Sequence, residues 1–304
     1  MSRWTSRSMG TKWQHAFFYR LIAIGGRNAA YFMLFWVVLA YMFNPSAAKR
    51  GEAYLKHRFP GAGLFGSWLH RWRWQWELGK SLVDRAVAGI KGDFFFDLAE
   101  EDLAALRELH ARGKGIILLS SHIGCWQAAL SYFGSLLPGV SASVVMLRDE
   151  GDYDRHYFEH KSEAPPFTII DPAEGPQSAI AMIQRLQGHG ILLVMGDRPM
   201  GEAKLCPATF LGEEICLPTT PFYLASVSGA PMVVFFVYRT GPGKASNHLA
   251  GVVDVPEKLG KDPKAYAPYL QRYVGMLEKS VMDEPYQFFN FYNMWDHDEY
   301  QRKA

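Results

Sequence analysis

The chain has 304 residues, 49% hydrophobic and 20% charged, which suits one large or two small domains with a sizeable core and excludes a disordered or collagen-like chain. With 32 Lys and Arg against 30 Asp and Glu, its net charge is only +2, which argues against a dedicated nucleic-acid binder. That total hides a split: residues 1–80 hold 12 Lys and Arg, two acids (Glu52 and Glu77) and seven of the nine Trp, so this front is +10 and the remainder −8.

The front has the pattern of a membrane-contacting segment. Asn28 to Ala48 is 21 residues without a charge, close to the roughly 20 apolar residues that span a bilayer core. Arg3, Arg7, Lys12, Arg20 and Arg27 precede it, and Lys49, Arg50, Lys56 and Arg58 follow it. Basic flanks on both sides fix no orientation; a re-entrant or interfacial helix fits them as well as a span does, and a buried core helix is the plainer alternative. Phe65 to Trp76 then interleaves Trp with Arg, side chains suited to the headgroup layer.

The body alternates helical patterns with short apolar runs. Leu98–Arg112 has helical spacing, and Gly115–Ser120 reads as a buried strand. A helix from about Gly124 to Leu136, a strand near Ala142–Leu147 and a helix near Tyr153–Lys161 follow. Beyond Pro165 and Pro166 come a strand at Phe167–Ile170, a helix at Ser178–Gln187 and a strand at Ile191–Met195. Pro221–Ser228 reads as helix, Met232–Tyr238 and Leu249–Val255 as strands, and Pro263–Met282 as the closing helix. The fold class expected is α/β, with a mixed, mainly parallel sheet covered by helices and an N-terminal membrane-associated helical segment. Residues 1–90 would form that segment and residues 91–304 the α/β domain. The cysteines (Cys125, Cys206 and Cys216) are odd in number and lack paired spacing, so neither a disulfide framework nor a structural zinc site is expected.

Ligands of open α/β sheets bind beyond the carboxyl ends of strands. Ser120-Ser-His-Ile-Gly-Cys-Trp-Gln127 falls there, between a strand and a helix start. His122 would meet the helix N-terminus, where free backbone N–H groups attract developing negative charge, and Gly124 permits close backbone approach.

These residues resemble the first motif, His-x4-Asp/Glu, of the lysophospholipid acyltransferase superfamily, closest to the bacterial lipid A late acyltransferases and related predicted acyltransferases. The similarity continues in order through Met195–Gly201, Phe210–Ala225 and Gly229–Phe236 to the ending Phe288–Trp295. It implies a membrane-associated enzyme in which His122, as general base, takes a proton from an acceptor hydroxyl or amine that attacks an acyl thioester directly. No cofactor, no metal and no covalent intermediate would be needed. The donor would be an acyl carrier protein thioester or acyl-CoA, and the acceptor a lipid or glycolipid. The setting would be an anionic membrane surface, the bacterial inner membrane, with the catalytic domain facing the cytoplasm. Backbone amides near Gly124, helped by Arg148 or Arg198, would hold the oxyanion, with Ser121 also lining the substrate site.

The sixth motif position is Gln127 rather than an acid, and an amide adds no charge stabilisation to an imidazolium. Three readings stay open: Gln127 alone orients His122, an acid from elsewhere (Asp197, Asp149, Glu150 or Asp152) takes the place beside it, or the chain binds lipid or acyl carrier without turnover. His156-Tyr-Phe-Glu-His160 matches the H-x-x-E-H pattern of a zinc metallohydrolase group, but no third ligand is evident downstream.

Overall fold

The computed structural model describes residues 12–133, 136–147, 167–199 and 203–296. Helix α1 (Lys12–Met42) is kinked at Gly26, whose φ of 69° suits glycine. Ile22, Ala30, Leu34 and Val38 form its buried stripe, packed on Val83 and Val87 of α4 (Leu64–Lys91). The helices approach closely because Gly79 has no side chain: a Cβ there would lie 2.5 Å from Leu34 Cδ1. The short helices α2 (Pro45–Ala48) and α3 (Glu52–Arg58) connect them.

Among the described residues, α1 is the one helix long and apolar enough to cross a membrane. It holds most of the uncharged run of the sequence, one face packed against α4 and the other outward: Phe32, Trp36 and, just beyond the helix, Phe43 are open, as are Leu64 and Phe65 at the start of α4. A large exposed apolar patch on a folded domain marks an interaction surface.

The body is built on seven strands: β1 (Phe95–Asp97), β2 (Ile116–Ser120), β3 (Ala142–Val145), β4 (Thr168–Ile170), β5 (Ile191–Met195), β8 (Met232–Gly241) and β9 (Lys244–Val253), in the spatial order β1-β9-β8-β2-β5-β3-β4. β8, β2, β5, β3 and β4 are parallel; β9 runs antiparallel to β8, and β1 follows β9. This is the mixed, mainly parallel α/β sheet expected. Side chains alternate between its faces. Ile116, Leu118 and Leu193 pack under α5 (Glu100–Ala111) and α6 (Trp126–Phe133). Ile117, Leu119 and Leu192 face α7 (Pro176–Gln187), α8 (Thr220–Ser228) and α9 (Ala267–Asp283).

Two departures from the sequence reading have local causes. β6 (Leu205–Phe210) and β7 (Glu213–Pro218) form a separate hairpin that turns at Leu211 and Gly212, both with positive φ, in a stretch not assigned as strand. β9 begins at Lys244 rather than Leu249, because Gly243 in the left-handed region turns β8 straight into it. The helix expected at Tyr153–Lys161 lies outside the described residues.

Candidate active site

β2 and β5 are adjacent and parallel, with Ser120 opposite Met195, so the loops after them meet at one edge. His122 follows β2 and Asp197 follows β5. The His122 ring Nδ1 lies 2.8 Å from Asp197 Oδ1 and 3.1 Å from Oδ2, and the His122 backbone N–H donates to Oδ2 at 3.2 Å. Asp197 is fully buried, whereas the His122 side chain is 20% exposed. A carboxylate on Nδ1 keeps the ring proton there and leaves Nε2 as the acceptor. The indole of Trp126 stands edge-on to the imidazole at 5.6 Å between centroids.

The electrostatics favour a charged carboxylate beside a neutral ring. Burial lowers the His122 pKa below its usual 6.5, helped by the Arg198 charge and opposed by Asp197. For Asp197, burial favours the neutral acid, but the charge and hydrogen bonds of His122 and the charge of Arg198 outweigh it and hold the carboxyl below its ordinary range. A histidine neutral at pH 7, oriented by an ionised carboxylate, is equipped to accept a proton.

The remaining candidates are placed differently from the sequence reading. The Gln127 amide oxygen accepts from Arg85 of α4, so the sixth motif residue braces α6 against α4, and the carboxylate on His122 comes from Asp197. Gly124 does allow close approach, but to protein: a Cβ would fall 2.0 Å from the Val237 carbonyl. Its N–H donates to Gln287 O at 2.8 Å and that of Cys125 to Val237 O at 3.1 Å, so neither is open to an oxyanion. Ser121 is buried, its hydroxyl 2.6 Å from Tyr273 Oη, and lines no substrate surface. Arg198 turns inward, donating to Phe289 O at 2.6 Å and lying over the Phe291 ring, so it reaches the site through its charge. Arg148, Asp149, Glu150, Asp152 and the His156–His160 pattern lie outside the described residues. Among the described residues, no three His, Cys, Asp or Glu side chains gather as a metal site would require.

A narrow apolar pocket lies beneath α6, between that helix, α5 and the sheet, and its nearest approach to the pair is through Trp126, whose indole meets the His122 ring. Trp126 and Met195, neighbours of the two loops, line it with Leu106, Phe133, Phe235 and Leu249. The aromatic ending of the chain is elsewhere: Phe288, Phe289 and Trp295 are packed in the main core.

That ending braces both loops. Ile123 bridges Phe288, Phe289 N donates to His122 O at 2.7 Å, and the Tyr292 hydroxyl donates to Asp197 O at 2.6 Å. Tyr273 and Arg85 escaped the sequence reading, which no local pattern would have changed, and Tyr292 was seen only as part of the Phe288–Trp295 block, without its role. They come from segments distant in sequence and touch the site through the fold.

A histidine–carboxylate pair at adjacent strand ends, close to an apolar pocket, is an arrangement able to take up a proton. The chain matches the family model for bacterial lipid A biosynthesis acyltransferases over residues 76–297, and it belongs to that family. This makes it a lipid acyltransferase. No curated protein matches the chain.

Proposed function

We propose that the protein transfers a fatty acyl group from an acyl thioester, on acyl carrier protein or coenzyme A, to a hydroxyl or amine of a lipid or glycolipid at a membrane. The observation that carries this reading is the His122–Asp197 pair, with Trp126 between the imidazole and an apolar pocket. His122 Nε2 takes the acceptor's proton as its oxygen or nitrogen attacks the thioester carbonyl. Asp197 stabilises the imidazolium. The tetrahedral oxyanion collapses with loss of the thiolate, and His122 returns its proton to that sulfur, so no acyl-enzyme intervenes. Arg198 and the N-terminus of α6 supply positive field at the oxyanion, and the pocket beneath α6 receives the donor's acyl chain.

Residues 1–90 serve as the anchoring region and residues 91–304 as the catalytic domain. The exposed aromatics of α1 and α4, with their basic neighbours, support contact with an anionic membrane, which we assign to the cytoplasmic face of the bacterial inner membrane. Incubation of purified protein with labelled acyl thioester and membrane lipid, with products identified by mass spectrometry, tests the reading. Acylated lipid is expected from the natural chain and at least a 10²-fold lower rate from His122→Ala. Undiminished turnover in a folded His122→Ala variant removes His122 as the base.

A further inference from the structure

The pocket beneath α6 contains one polar atom that nothing satisfies. Asn247 of β9 lines it, and its amide oxygen is buried with no hydrogen-bond partner among the described residues. Asn247 pairs with Val237 of β8, whose carbonyl accepts from Cys125 in the His122 loop. β9 stands two strand spacings from β2, about 10 Å across the sheet, so the amide would lie at mid-chain depth for an acyl group held at His122 and reaching into the pocket past Trp126. The surrounding wall is apolar, and the Tyr132 hydroxyl is already engaged with Phe94 O. A water there would lack the two or more polar partners that hold buried water in place. A hydrocarbon chain would leave the amide oxygen unpaired, whereas a hydroxyl on the chain would donate to it.

Building on the acyltransferase reading, we propose that the pocket selects an acyl chain carrying a hydroxyl along its length, with Asn247 as the specificity-determining residue. The test sets a plain saturated acyl thioester in competition with chains of equal length bearing one hydroxyl at successive mid-chain carbons. The natural protein should prefer one hydroxylated position by about tenfold in kcat/KM, the factor equivalent to about 1.4 kcal/mol. Asn247→Leu and Asn247→Val should bring the ratio to about one or below. The ratio is taken within each preparation, so partial misfolding of a variant cancels. A flat series in the natural protein, or a preference that survives both substitutions, overturns the proposal while leaving transferase activity standing. In parallel, the free hydroxylated and plain fatty acids are titrated against intrinsic tryptophan fluorescence. If no thioester is turned over, the transferase reading fails and this titration decides: tighter hydroxy-acid binding in the natural protein alone upholds the pocket assignment, and equal binding ends it.

Discussion

With His122 as the proposed base, its proton balance would set the pH behaviour of the reaction. Burial and Arg198 make the ring a weaker base than a free imidazole, so kcat/KM should hold its full value near pH 7 and fall only below pH 6.5. An acid limb centred above 6.5 would contradict the neutral-base assignment. The same shift carries a sign for stability: the unfolded chain binds this proton more readily, so the contribution is complete above pH 6.5 and lost as pH drops through the folded pKa. Two substitutions separate the orienting group from the motif position. Asp197→Asn should cost about 10²-fold or more in kcat, because the amide neither fixes the tautomer nor stabilises the imidazolium. Gln127→Ala should leave kcat within about threefold and lower stability by roughly 1.5–3 kcal/mol through its lost bond to Arg85. The opposite ranking would restore Gln127 as the orienting residue.

Among the elements, α1 and α4 are joined to the sheet by buried charge. Asp84 of α4, fully buried, accepts from Arg27 Nε at 2.9 Å, Tyr31 Oη at 2.6 Å and Arg239 Nε of β8 at 2.7 Å. Asp84→Ala would leave two largely buried guanidinium groups without that carboxylate. It should destabilise the fold by about 3–5 kcal/mol, read as a lower midpoint in chemical denaturation; a change under 1 kcal/mol would mean the network is solvated. The central strands were legible because both faces of a parallel sheet are covered, which leaves unbroken apolar runs such as Ile116–Leu119 and Ile191–Met195. The β6–β7 hairpin was not, since Pro207 and Pro218 read as strand breakers and Glu213 and Glu214 open β7 without an apolar residue. His122 was legible from its place after a strand. Asp197 was one acid among several until β2 and β5 were seen to be neighbours, and the fate of Gln127 was decided by Arg85, 42 residues upstream.

On the scale of the whole molecule, the uneven charge of the sequence takes a spatial form. From residue 12 onward the basic, Trp-rich front folds as helices with an outward apolar row, and the net acidic body carries the sheet and the candidate site. If that row meets lipid, Phe32→Glu with Trp36→Glu should reduce co-sedimentation with anionic phospholipid vesicles by about tenfold or more and leave the body folded, since both side chains are exposed on α1. Unchanged sedimentation would move the contact elsewhere.

The aromatic ending has a consequence for how the enzyme is made. Trp74 Nε1 donates to Phe288 O at 2.8 Å and Tyr54 Oη to Pro285 O at 2.7 Å, while the same segment supports the backbones of His122 and Asp197. A growing chain exposes its front helices long before residues 285–292 are synthesised. A nascent chain thus carries the His122 and Asp197 loops without their brace, and the pair takes its observed geometry only after residues 285–292 have been made.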